Sequence, residues 1–458
     1  MSTERPPLAA PAGASASPMR GDRYLWGAYC ALVIISGIEM FSASSLLTTS
    51  AASVSDPVFR HLRHLILGFL FILVAQNASR VAIRQWGRVL YGGGLLLLLL
   101  LPFLGTQMKG ATRDIFGVQP VELIKLGVMM VLCELITASD HTFHRFHSFF
   151  RTDTERRRYW LMLFVVLVVA APMAAQNLSS GLIIGFASLA LMFLGKVRGS
   201  FLGRTVAVVA VVAAVGLAAL YALHTHNKSC RENHKTILTF PKPLHRAHIW
   251  ADRVFDHSDV PLWEQDTSGD KAQEIYAHMA LANSYPFGRF WGNSRMRDFL
   301  PEAYSDYIFA IIFEELGFVI ALLVLLLYLW VLARSYWLSR RTENVYIRLL
   351  MVSLPLIMVI QALIHIGVCT GAMFVTGQPL PLISRGGSSI VFTSISFGLM
   401  FALSRIIESE AAQRAGALAD AGDPGSDAAS GGPTAGTPIG ARVEMGTRVE
   451  GEGVRVGE

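Results

Sequence analysis

The sequence predicts an all-α, polytopic membrane protein of about ten transmembrane helices. Three observations lead there. Of 458 residues, 53% are hydrophobic and 16% charged, more apolar surface than a soluble core of this length can hide. The apolar residues fall in blocks of about 20, the length that crosses a bilayer. Basic residues gather in alternate connections, the pattern that sets membrane orientation.

The spans are expected at roughly 24–48, 60–79, 88–105, 119–137, 158–174, 178–195, 204–224, 306–333, 347–371 and 385–407. The first is too long for a signal-peptide core, so no cleavable leader is expected. Arg20 and Arg23 precede span one; Arg80, Arg84 and Arg88 lie between spans two and three. Arg145, Arg151 and Arg156–Arg158 lie between four and five, Lys196, Arg198 and Arg204 between six and seven, and Arg334, Arg340, Arg341 and Arg348 between eight and nine. With ten spans all these connections share one face, so both termini are expected in the cytoplasm. The formal charge of +6 is explained by these loops and needs no nucleic-acid partner.

Three connections are left for the outer face. The largest, 225–305, carries Trp250, Trp263, Tyr276, Tyr285 and Trp291; loops of such length are usually functional. The others are Gln107–Gln119 and Thr370–Arg385. Residues 1–22 and 409–458 are rich in Ala, Gly, Pro and Ser and read as disordered cytoplasmic tails. The body between them, 23–408, reads as one membrane domain. Cys30, Cys133, Cys230 and Cys369 form neither a CxxC pair nor a metal-binding spacing.

Chemistry must then come from polar groups at the span ends. Asp306 stands where the long loop enters span eight. A carboxylate there is costly to desolvate, although one at a helix start also favours the dipole, with Ser305 as a candidate cap. Glu122 and Lys125, at i,i+3 after Pro120, share a helix face near the outer end of span four. They read equally as an ion pair joining helices or as the wall of an anion pocket. Glu314 and Glu315 lie deeper and read as structural, as do Glu39, Glu134 and His365. Arg385-Gly386-Gly387-Ser388-Ser389 opens the last span; its exposed N–H groups could hold an anion, or its glycines could serve close helix packing. Arg246, Arg253, Arg289, Arg295 and Arg297 of the long loop could bind phosphate or simply be solvated. No P-loop, Rossmann fingerprint, H-E-x-x-H or G-x-S-x-G is present. ATP hydrolysis and serine acylation therefore lack support.

Together the segments V-Q-P-V-E-L-I-K-L (118–126), G-N-S-R-M-R-D-F-L-P-E-A-Y-S-D-Y-I-F-A-I-I-F-E-E-L-G (292–317) and T-G-Q-P-L-P-L-I-S-R-G-G-S-S (376–389) resemble the SEDS family (shape, elongation, division, sporulation), whose members include FtsW and RodA. M-F-S-A-S-S (40–45) and A-Q-N-L-S-S-G-L (175–182) match weaker blocks, and the last motif looks more like FtsW than RodA. The resemblance spans about 24–408. It implies a ten-helix fold and a peptidoglycan glycosyltransferase acting on lipid II at the outer face of the bacterial cytoplasmic membrane, at the division septum if the FtsW likeness holds.

Asp306 matches the family's proposed catalytic aspartate. Glu122 and Lys125 match residues lining the same cavity, which makes Arg246, Arg253, Arg295, Arg297, Ser384, Arg385, Gly386, Gly387 and Ser388 candidates for substrate binding. A divalent cation, Mg2+ or Mn2+, would suit the diphosphate, with no organic cofactor. The implied partners are a class B penicillin-binding protein, met along spans eight and nine, other divisome proteins and membrane lipid. Two departures stand out. Asn177 replaces an acidic residue of the family, and the usual H-T-D-F is here Tyr304-Ser305-Asp306-Tyr307. A lipid II flippase and a RodA-like elongation polymerase are the alternative readings, with a recruiting scaffold as a third.

Overall fold

A computed structural model describes residues 20–43, 55–108, 111–115, 117, 119–138, 154–232, 272–300, 303–373 and 376–421. The helices are α1 Arg23–Ala43, α2 Ser55–Ala75, α3 Arg80–Leu104, α4 Pro120–Thr137, α5 Thr154–Gln176, α6 Leu178–Leu194, α7 Gly199–Glu232, α8 Ala272–Ser284, α9 Ile308–Ser339, α10 Val345–Cys369 and α11 Gly387–Ala421. A small antiparallel hairpin, β1 Thr106–Met108 and β2 Ala111–Asp114, joins α3 to α4. Eight helices (α1, α2, α3, α5, α7, α9, α10 and α11) are long and apolar enough to cross a membrane. With α4, which carries Glu122, Lys125 and Glu134, and the 17-residue α6, they fill the ten expected places in order.

Several boundaries differ from expectation. Helix α7 runs on to Glu232, and α8 lies within the segment read as one long loop. Helix α11 continues to Ala421, into the expected tail; its end belongs to a second unit of the chain, Ala412–Glu458. At the other end, buried Asp22 caps α1 by accepting from the N–H groups of Tyr24 and Leu25, each at 3.1 Å, and pairs with Arg334 of α9 at 2.5 Å. Arg246, Arg253, Trp250 and Trp263 lie outside the described residues.

Helix α10 is mostly buried and touches α4, α6 and α9, so it forms the centre of the bundle. Small residues let neighbours approach. A Cβ at Gly127 of α4 would meet the backbone of Tyr91 of α3 at 2.5 Å. Trp26 of α1 stacks on Phe401 of α11 at 4.1 Å. Helix α7 is the opposite case: Val208, Val212 and Val215 are exposed, as on a helix that faces lipid.

The feature that places the outer segment is a break in α9. Gly317 (φ 80°, ψ 178°) interrupts the helix and frees backbone polar groups at membrane depth, where none can stay unpaired. The segment Pro286–Arg289 fills the gap. Phe318 N–H donates to Pro286 C=O at 3.0 Å, and Arg289 N–H donates to Glu314 C=O at 2.8 Å. The fit requires two glycines face to face. Gly288 also has positive φ (75°), and a Cβ on it would lie 2.5 Å from Gly317 N. The segment after Gly288 then wraps around Glu314 and Glu315, both fully buried. Glu314 accepts from Arg295 N–H (3.0 Å) and Ser294 Oγ (2.5 Å). Glu315 accepts from Gly292 N–H (2.9 Å) and Ser42 Oγ (2.5 Å). These carboxylates act as anchors for the loop, consistent with their reading as structural.

Gly288→Ala and Gly317→Ala should each cost more than about 2 kcal/mol, through left-handed strain plus backbone overlap. Gly185→Ala, in a helix with open space at its Cβ position, should be neutral or stabilising. Thermal unfolding in one detergent measures the contrast; equal midpoints for all three would contradict the docking of Gly288 on the helix break.

Candidate active site

Four helices begin around one cavity of about 90 Å3. Its lining includes Gln119 and Glu122 at the start of α4, Asn177 and Ser180 at the start of α6, Ser305 and Asp306 before α9, and Arg385 and Gly386 before α11. The first N–H groups of an α-helix lack the regular partner one turn back, and each N-terminus carries roughly half a positive charge. Their convergence, with the Arg385 guanidinium, makes the cavity attractive to an anion. Asp306 supplies a carboxylate in the same space.

Asp306 is not in the helix it precedes. Helix α9 starts at Ile308 with Tyr307 at the cap position and no side-chain cap bond. Ser305, expected as the cap, instead donates its Oγ to Asp306 Oδ1 at 3.1 Å. The turn that carries them is fastened from outside. Ser384 Oγ donates to Ser305 C=O at 2.7 Å, and Arg385 N–H donates to Tyr304 C=O at 2.9 Å. The Arg385 guanidinium lies 4.8 Å from the Tyr304 ring centre. Ser384 is buried and also accepts from Leu380 N–H at 2.7 Å, so it positions the turn. Arg385 and Gly386 line the cavity themselves. Gly387 packs at the His64 ring, and Ser388 is buried in the first turn of α11.

Glu122 and Lys125, read equally as an ion pair or as a pocket wall, form an ion pair, with Nζ 2.8 Å from Oε1. Glu122 lines the cavity. Lys125 lies behind it and also donates to Gln361 Oε1 of α10 at 2.6 Å. Gln361 Nε2 in turn donates to Pro379 C=O at 2.8 Å. Lys125 therefore joins α4 to α10 and to the 376–386 loop. Arg297 is placed elsewhere, on Ser42 (Nη1 to Oγ 2.9 Å) and Glu315 (3.6 Å). Arg295 and Arg289 line a separate surface hollow with Gly288 and Phe290.

Gln378 was not among the expected site residues, yet it lines the cavity and ties its wall together. Its Nε2 donates to Ser180 Oγ at 2.8 Å and Ser179 Oγ at 3.2 Å, and its C=O meets His365 Nδ1 at 2.8 Å. Asn177 accepts from Ser179 Oγ at 2.6 Å, a role open to a neutral amide. A polar run between two apolar spans was the available signal for Gln378.

Among the described residues no group of three or more His, Cys, Asp or Glu side chains is placed to hold a metal ion. The cavity offers Asp306 and Glu122, and Glu122 is committed to Lys125. That donor set does not fit a metal ion held by protein side chains alone.

A family profile described as cell cycle protein, covering FtsW, RodA and SpoVE, matches residues 23–408. The chain is 24% identical over 379 residues to the peptidoglycan glycosyltransferase MrdB of Escherichia coli K12, covering 81% of this chain and 92% of that one. It is 27% identical over 388 residues to a probable peptidoglycan glycosyltransferase FtsW of Burkholderia thailandensis, covering 81% and 75%. Among solved structures, one chain of a peptidoglycan synthase complex that coordinates polymerization and crosslinking aligns with a TM-score of 0.61 at 22% identity, over 84% of this chain and 98% of that one. RodA of Thermus thermophilus aligns with a TM-score of 0.56 at 22% identity, over 84% and 97%; at these identities the likeness is one of fold. The match across 23–408, with the same motifs gathered around one cavity, makes the chain a member of the FtsW/RodA/SpoVE family, the SEDS family, and a multi-pass membrane protein.

Proposed function

We propose that the chain is a peptidoglycan glycosyltransferase that polymerises lipid II at the outer face of the cytoplasmic membrane, with both termini inside. The observation that carries this is the cavity itself, where Asp306, the carboxylate not paired with Lys125, shares the lining with Arg385 and four helix N-termini. Glycosyl transfer from a diphosphate needs that combination. The acceptor hydroxyl attacks the anomeric carbon and its proton passes to Asp306 as general base. As the new C–O bond forms, the old one breaks, and its electron pair leaves with the diphosphate. Arg385 and the helix N-termini stabilise that developing charge. No strong acid is needed, because the diphosphate departs as an anion. A bound divalent cation would add charge neutralisation. Lys125 contributes through Glu122 and Gln361, by holding the wall rather than the substrate.

The relatives named above include both FtsW and MrdB proteins. The P-L-P-L-I-S-R-G-G-S-S form of 379–389 favours the septal role; depletion should then give filaments, whereas rounded cells would assign elongation. The chain has no transpeptidase motif of its own. A class B penicillin-binding protein is the fitting partner, because glycan without crosslinks bears no load. The basic connections motivate the orientation. A cysteine placed at Asp270 should react with an impermeant reagent from outside and one at Arg157 should not; the reverse would put the cavity in the wrong compartment.

Purified protein should polymerise lipid II, and faster with its partner. Asp306→Asn should lower the rate by about 10²-fold or more, the usual yield of a general base. An Asn variant that keeps more than about a tenth of the rate would contradict the role of Asp306.

A further inference from the structure

At the end of the bundle that carries the basic connections lies a second cavity, of about 380 Å3. It is formed where α5 begins, α6 ends and α7 begins, and plays no part in the chemistry above. Its lining includes Arg158, Lys196 and Arg198, with Glu155, Tyr159 and Phe201. Glu155 lies 3.8 Å from Arg198, with both side chains mostly exposed.

Cations at this end of a span need no special cause, since orientation alone favours them. Two further observations do need one. Lys196 has φ 56°, the left-handed region that a lysine adopts at a cost. It stands at the helix-terminating turn after Gly195, where Lys196 N–H donates to Phe193 C=O (3.0 Å) and Val197 N–H to Met192 C=O (3.1 Å). Glycine suits that position best. A lysine there keeps a cation in the cavity against local strain, and the C-terminal dipole of α6 offsets only part of the cost. Second, large apolar side chains next in sequence to the lining, Trp160 on α5 and Phe193 and Leu194 on α6, are exposed, as on helices that meet lipid. A charged hollow between helices that carry exposed apolar side chains matches a molecule with an anionic head and apolar tails.

We propose that this cavity binds the phosphate of an anionic phospholipid, with Lys196, Arg158 and Arg198 around the head group and the acyl chains along Trp160 and Phe193. The first turn of α7, which starts at Gly199 just beyond Arg198, adds positive partial charge at the same place. The site is independent of the glycosyltransferase reading and rests on membrane embedding alone.

The test uses the full chain in nanodiscs of mixed phosphatidylcholine and phosphatidylglycerol, with co-purified lipid counted by native mass spectrometry. Wild type should retain phosphatidylglycerol. Lys196→Gly with Arg198→Gln should reduce that retention by about tenfold, as expected for the loss of two interfacial cations. Arg204→Gln, at the same end of the bundle but outside the lining, should leave it little changed. In phosphatidylcholine alone, Lys196→Gly should raise the melting temperature, because glycine relieves the turn. Undiminished retention in the double variant, or an equal loss in Arg204→Gln, would overturn the site. So would a lower melting temperature in Lys196→Gly, which would make the lysine structural. If inorganic phosphate stabilises wild type but not the double variant in phosphatidylcholine discs, the ligand is free phosphate and the lipid assignment fails.

Discussion

The arrangement around Asp306 depends on one polar latch. Tyr304 and Ser305 present backbone carbonyls just before a helix begins, and a carbonyl left without a partner there is costly. Arg385 N–H and Ser384 Oγ satisfy them. The same two residues lie near the end of the 376–386 loop, so the turn that carries the carboxylate and the loop that carries the guanidinium are held as one piece. The loop is in turn held by Gln361, His365 and the serines that open α6. Leu382 shows what this costs. It is fully buried with φ 69°, an unfavourable conformation for a leucine, kept by bonds such as Tyr328 Oη to the adjacent Pro381 C=O at 2.5 Å.

A second fastening works at a distance. The break at Gly317 gives the segment Pro286–Arg289 backbone partners that an unbroken helix would have kept for itself. Glu314 and Glu315 then organise residues 292–297 through their N–H groups and Ser294. Arg297 and Ser42 extend this to the end of α1. The first fastening holds the turn that carries Asp306, and the second holds the first turns of the helix that follows it.

The sequence showed the spans, their order and the family motifs, because these are written in local hydropathy and in short polar runs. It marked Asp306, Glu122 and the Arg385–Gly386 pair, since polar residues at span ends stand out. It could not show that Lys125 turns away to Gln361, because the partner is 236 positions along the chain. The convergence of four helix starts was hidden for the same reason, as it belongs to packing and not to any one segment. The break at Gly317 was also unreadable. A glycine between Leu316 and Phe318 looks like any small residue in an apolar run until its partner Gly288 is seen.

The central claim is that Asp306 moves a proton while Arg385 and the helix starts hold the anion. These roles separate in one measurement, the affinity of the Asp306→Asn protein for lipid II. The account predicts binding as tight as wild type, or tighter, because a negative charge beside the diphosphate has been removed while turnover is lost. Affinity that falls in proportion to the rate would contradict it and would make Asp306 a binding or folding residue.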